Sequence, residues 1–246
     1  MDDEKRTMPF TLLSFDLDGT LVDTAGEIAC AANQTLADAG LPQRSVQEIT
    51  LRIGGGAKVL MRSLLADAAP AAPPAAAPPS AAQVPGLDIT ALLQRFEHHY
   101  AQIAGTLAQP YPDCAHTLAQ LRSAGVRLTC VTNKEQQFAQ RVLRATRLDG
   151  FFELLVGGDT LSHKKPHPGV LDHVRQEFGC QPAQMAHVGD SRVDIEAARN
   201  SGVAAWAVSY GYNAGAPIAL SQPDCLFDTL PAIARHVADM QQAQHR

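Results

Sequence analysis

The chain has 246 residues, 46% of them hydrophobic and 18% charged, with a net charge of −5. That is enough apolar material for a sizeable core, and the acidic balance offers no basic face for nucleic acid. The opening MDDEKRTMPF has no apolar segment of secretory type and no later stretch approaches a membrane span, so a cytoplasmic address without a membrane partner is expected. Five cysteines (Cys30, Cys114, Cys130, Cys180 and Cys225) stand far apart without a CxxC pair, which fits reduced thiols, and the histidines form no metal-ligand spacing.

The apolar residues Leu12, Leu13 and Phe15 predict a first strand over 11–15. Between residue 20 and about residue 105 no strand pattern follows; apolar stripes at helical spacing predict helices over 25–39, 58–66 and 89–103. Within this stretch, 66–86 is dominated by alanine and proline, which forbids a helix and predicts an extended, solvated and mobile loop without a functional role. After residue 110 strand-type runs at 126–131, 153–156, 185–188, 203–208 and 225–227 alternate with helical stretches at 115–123, 135–145, 168–178 and 193–200. This rhythm predicts an α/β fold: a Rossmann-like parallel sheet core with helices on both faces and an inserted α-helical cap. The core is expected from 1–20 and 108–246 and the cap from 21–107, with two chain crossings acting as a hinge.

Four polar clusters each follow a predicted strand: Asp16 and Asp18; Thr132, Asn133 and Lys134; Lys164 and Lys165; and Asp190 to Asp194. Parallel strands bring their carboxyl ends to one sheet edge, so the four are expected to converge there. Two carboxylates about 4 Å apart repel by roughly 4 kcal/mol at an effective dielectric near 20, so a cation is required between them. Mg²⁺, held by Asp16, the carbonyl of Asp18 and Asp190, meets that need and suits a phosphate ligand. Each cluster alone also fits a purely structural part, as a turn at Asp18–Gly19, a helix cap at Thr132 or Asp190, or a surface position for Lys165. Together they suit phosphoryl transfer, with Asp16 as nucleophile, Asp18 as general acid and base, and Thr132 and Lys165 stabilising charge. Gly19, Thr20 and Asn133 are candidate substrate-binding residues, as are Lys58 and Arg62 beside the glycine run Gly54–Gly56.

In order and spacing, DLDGTLVDT, VTNK, KKPHP and VGDSRVDIEAA resemble the four motifs of the haloacid dehalogenase superfamily. The resemblance implies Asp16 as nucleophile, Asp18 as acid and base, Thr132 and Lys165 as the second- and third-motif residues, and Asp190 as metal ligand supported by Asp194. It also implies that the helical insert is an α-helical cap. RIGGGAKVLM, VGGD and YGYNAGAPIALSQPD further resemble segments of the bacterial phosphoglycolate phosphatases, a likeness that covers nearly the whole chain except the Ala/Pro stretch. A Mg²⁺-dependent phosphomonoesterase acting on a small anionic phosphate ester, 2-phosphoglycolate first, is therefore expected, as monomer or homodimer. The alternatives are a phosphatase for another small sugar phosphate or nucleotide, a phosphosugar mutase, and a non-catalytic binding protein.

Overall fold

The computed structural model describes residues 10–67 and 88–243; nearly all of the Ala/Pro stretch, from residue 68 onward, lies outside them. The chain runs β1 (Leu12–Phe15), β2 (Val22–Asp23), α1 (Ala25–Asp38), α2 (Val46–Thr50), α3 (Ala57–Ala66), α4 (Ile89–Ile103), β3 (Gln109–Pro110) and α5 (Cys114–Ser123). It continues with β4 (Arg127–Val131), α6 (Gln136–Ala145), β5 (Leu154–Val156), α7 (Gly169–Phe178), β6 (Met185–Gly189), α8 (Arg192–Asn200), β7 (Ala204–Val208), β8 (Cys225–Phe227) and α9 (Leu230–Ala243).

Six strands form one sheet in the order β5-β4-β1-β6-β7-β8, every pair parallel. The fold is thus of the expected α/β class. Alternation along β1 sends Leu13 and Phe15 into a core with residues of α5, α6 and α9, while Leu12 joins residues of α7 and α8 on the other face. Because β1 is flanked by β4 on one side and β6 on the other, the connections step across the sheet in opposite directions from there, and a crevice opens beyond the carboxyl ends of these three strands.

Helices α1 to α4 bury a separate set of side chains, among them Ile28, Leu36, Ile49, Leu60, Met61, Leu64, Phe96 and Tyr100, with Phe138 of α6 reaching into it. The inward stripe of α3 is Ala57, Leu60, Met61 and Leu64, at the spacing one helical face requires. Contrary to the expectation of no strand between residue 20 and about residue 105, β2 lies there and pairs antiparallel with β3, just beyond it, through Val22↔Pro110 and Asp23↔Gln109. They tie together the points where the chain leaves and re-enters the sheet unit. Helices α2 and α9 are also additions to the predicted elements. Among the described residues no helix is long and apolar enough to cross a membrane.

Candidate active site

Asp16 is the first residue beyond β1, and its amide still donates to Val188 O at 2.9 Å, so the carboxylate is fixed at the mouth of the crevice. Lys165 Nζ lies 2.9 Å from Asp16 Oδ1 but donates to Val131 O and Asp194 Oδ1, each at 2.7 Å. Asp16 Oδ1 therefore feels the ammonium charge without receiving a well-aligned hydrogen bond, and is a buried oxygen with no hydrogen-bond partner. Burial pushes the Asp16 carboxyl up to about 6; Lys165 opposes this, while the charges of Asp194 and Asp18 add to it.

Asp190 follows β6. Its Oδ1 accepts from Thr20 Oγ1 at 2.8 Å and its Oδ2 from the Tyr212 amide at 2.7 Å. Burial, with Asp194 and Asp16 nearby, raises its carboxyl well above the usual carboxylate range. Gly19 has φ +86°, and a Cβ there would stand 2.4 Å from Asp190 Oδ2, so this turn both needs glycine's left-handed conformation and leaves no room for another side chain.

Asp194, in the first turn of α8, is fully engaged: Oδ1 accepts from Lys165 and from His187 Nε2 at 3.2 Å, and Oδ2 from the Ser191 amide at 3.0 Å and hydroxyl at 2.6 Å. Burial works to raise its carboxyl, but Lys165 and His187 hold it below the usual range. Since a carboxylate only accepts, Nε2 of His187 carries the proton, and Nδ1 accepts from Ser14 Oγ at 3.0 Å. Burial lowers the His187 imidazole, keeping it neutral.

Asp16, Asp190 and Asp194 present oxygens within 4.8 Å of one another. Lys165 is the one lysine or arginine that reaches them among the described ion pairs, so with all three carboxyls ionised two negative charges would be left uncompensated. That deficit and the unbonded Asp16 oxygen fit a divalent cation held by oxygen ligands. Asp16 and Asp190 have the free valence to hold it; Asp194 spends both oxygens on Lys165, His187 and Ser191 and supports them.

The side chain of Asp18 turns from this cluster: Oδ1 accepts from Thr24 Oγ1 at 2.6 Å and Oδ2 pairs with Lys134 Nζ at 2.9 Å. Thr132, after β4, lines the same pocket. The pocket has Asp16, Asp18 and Thr132 on the sheet side and Ile28, Leu60 and Phe96 on the helical side.

Two expectations need correction, those for Thr20 and for Lys58 with Arg62. Thr20 is fully buried and orients Asp190 rather than facing the pocket. Asn133 lines the pocket, as expected of a site residue, and its side chain donates to Gly54 O and Lys165 O, both at 3.0 Å, and accepts from the Lys165 amide at 2.9 Å, so it also positions Lys165 and the 54–56 loop. Lys58 and Arg62 are exposed, off the inward stripe of α3, and do not line the pocket. Conversely, His187 and Tyr212 have places at the site that were not assigned from the sequence, and Lys134, expected in the cluster after β4, meets Asp18 there. The segment containing Tyr212 stood out in the sequence without a function attached to it.

A carboxylate-rich, cation-fitted pocket at the switch point of a parallel sheet, roofed by helices inserted after β1, defines an α/β protein whose site chemistry rests on carboxylates. The sequence model of the haloacid dehalogenase-like hydrolases matches residues 13–208, and this chain belongs to that family. It is 36% identical over 249 residues to a phosphoglycolate phosphatase of Pseudomonas putida, covering 98% of this chain and 87% of the relative. It is 38% identical over 224 residues to that of Pasteurella multocida, covering 91% and 96%. A solved structure from Haemophilus somnus 129PT, described as a predicted phosphoglycolate phosphatase, superposes with a TM-score of 0.82 at 33% identity, covering 93% of this chain and 98% of that one.

Proposed function

We propose that the protein hydrolyses 2-phosphoglycolate to glycolate and inorganic phosphate, with Mg²⁺ as the metal and Asp16 as nucleophile. The observation that carries this reading is the meeting of Asp16, Lys165 and Asp190 at one crevice, with an Asp16 oxygen left free of hydrogen bonds. The substrate follows from the relatives, which are phosphoglycolate phosphatases matched over most of the chain.

Asp16 attacks phosphorus in line with the ester oxygen; the P–O ester bond breaks and an aspartyl phosphate forms. Asp18 gives its proton to the departing glycolate oxygen, then as a carboxylate takes a proton from the water that cleaves the acyl phosphate and restores Asp16. Lys165, beside Asp16, and the Thr132 hydroxyl stabilise charge on the non-bridging oxygens. Asp190 and Asp16 would hold the Mg²⁺, which supplies the positive charge that lets an anionic nucleophile approach a phosphate dianion. Residues 21–107 act as a cap over a core of 1–20 and 108–246, excluding water while the bond breaks. A cytoplasmic location belongs to the same reading.

The test is kcat/KM over a panel of small phosphate esters with Mg²⁺. At least a tenfold preference for 2-phosphoglycolate, about 1.4 kcal/mol in transition-state binding, is expected. A smaller preference, or a sugar phosphate or nucleotide ahead of it, overturns the substrate assignment.

A further inference from the structure

The pocket's helical side is apolar, with Ile28, Ile53, Leu60 and Phe96, yet the proposed substrate carries a carboxylate on its leaving group. Among the described residues lining the pocket, Lys134 is the one basic side chain. Its Nζ stands 2.9 Å from Asp18 Oδ2 and 4.7 Å from the centre of the Tyr100 ring, with the side chain 5% exposed. Tyr100 is a rigid support: buried, edge-on to Phe138 at 5.1 Å, its hydroxyl donating to Glu27 Oε2 at 3.3 Å. Glu27 Oε1 in turn accepts from the amides of Leu107 and Ala108, where the chain returns toward the sheet. The ammonium is thus held in one place between the sheet side and α4.

We propose that Lys134 selects for a carboxylate on the substrate's leaving group. The inference rests on the reading above, in which Asp18 protonates the departing oxygen. In 2-phosphoglycolate a single methylene separates the ester oxygen from the carboxylate carbon. A cation in contact with the residue that protonates that oxygen is therefore within reach of the carboxylate. An ammonium has three donors. One meets Asp18 and one side faces the Tyr100 ring, leaving a donor for the substrate. Asp18 already offsets the desolvation of this ammonium, so the selection comes from the added attraction between a fixed cation and the substrate carboxylate, which an analogue lacking that carboxylate forfeits.

The experiment compares kcat/KM for 2-phosphoglycolate and for ethyl phosphate, which has a methyl group where the carboxylate stands, in wild type, Lys134→Met and Lys134→Arg. Loss of Lys134 lowers the phosphoglycolate value more than the ethyl phosphate value, so their ratio falls at least about tenfold in Lys134→Met. The charge-preserving Lys134→Arg keeps a larger ratio than Lys134→Met. Lys134→Gln replaces the Met variant if that one does not fold. An equal fall on both esters overturns the proposal, because it means that Lys134 acts only through Asp18. The wild-type arm alone reports on the underlying reading: no preference for phosphoglycolate there removes the substrate assignment itself, whatever the variants do.

Discussion

Asp16 is held where its charge is costly, and that cost is measurable without any substrate. Its carboxyl titrates at about 6 in the folded protein against 3.8 ordinarily, so between these values the folded state keeps a proton that the unfolded state releases. Rising pH therefore destabilises the metal-free protein through this window, and Asp190, raised in the same direction, adds to the effect. Asp194, held low, works below the window and with the opposite sign: its contribution to stability is lost only as pH falls under the ordinary carboxylate value. Urea unfolding in EDTA at pH 5 and pH 7 is expected to show a smaller pH 7 penalty for Asp16→Asn than for wild type; equal penalties would mean that burial does not strain Asp16. Thr20 offers a second test. Its hydroxyl donates to Asp190 at 2.8 Å from a fully buried position, so Thr20→Val is expected to raise the Mg²⁺ concentration for half-maximal activity by about tenfold or more. An unchanged Mg²⁺ requirement would count against Asp190 as ligand. Lys58 and Arg62 illustrate where proximity in sequence misleads: they flank a glycine run next to the site, yet the stripe Ala57, Leu60, Met61 and Leu64 already turns both outward.

At the scale of elements, the six sheet strands and the seven helices expected over 25–39, 58–66, 89–103, 115–123, 135–145, 168–178 and 193–200 were legible because each carries its own period or apolar run. What was not legible depends on partners distant in the chain. The β2–β3 ribbon is two residues a side and exists only through pairing across more than eighty residues. Helix α2 is too short for a period, although its capping box of Ser45 and Glu48 was readable, and α9 had a usable stripe in Leu230, Ile233 and Val237. The start of α1 shows the same dependence. Thr24 gives its hydroxyl to Asp18 instead of capping the helix, and the amides of Thr24 and Ala25 donate to the Tyr212 hydroxyl at 2.9 and 3.0 Å. That hydroxyl donates to Asp23 Oδ1 at 2.7 Å, while the Tyr212 amide holds Asp190. Removing the hydroxyl in Tyr212→Phe leaves the amide contact intact but strips the Thr24 amide of its partner, while Ala25 keeps Asp23 Oδ1 at 3.1 Å, so a loss of about 1–3 kcal/mol in unfolding free energy is expected. A variant as stable as wild type would show that water replaces the hydroxyl at no cost. In the loop after β7, a Cβ at Gly211 would lie 2.1 Å from that of Asp190. Gly211→Ala is accordingly expected to lose Mg²⁺-dependent turnover, and full activity would place Asp190 outside the working site.

For the whole molecule, the arrangement divides the chemistry from its enclosure. The sheet edge gathers the charged groups, because parallel strands β1, β4 and β6 end together at the point where connections run in opposite directions. The helices between β1 and β3 roof that edge with apolar side chains and contribute Tyr100, which backs Lys134. The convergence of strand-end clusters was foreseeable from their order along the chain, whereas the Tyr100–Lys134–Asp18 contact joins three separate segments and had no local signature. The central claim is that this edge works as a phosphomonoesterase through Asp16. It is tested most directly by measuring turnover of 2-phosphoglycolate with Mg²⁺ by wild type and by Asp16→Asn, both shown to be folded by circular dichroism. Turnover by the wild type and a loss of at least about a thousandfold in the variant are predicted; wild-type rates in Asp16→Asn would contradict the claim.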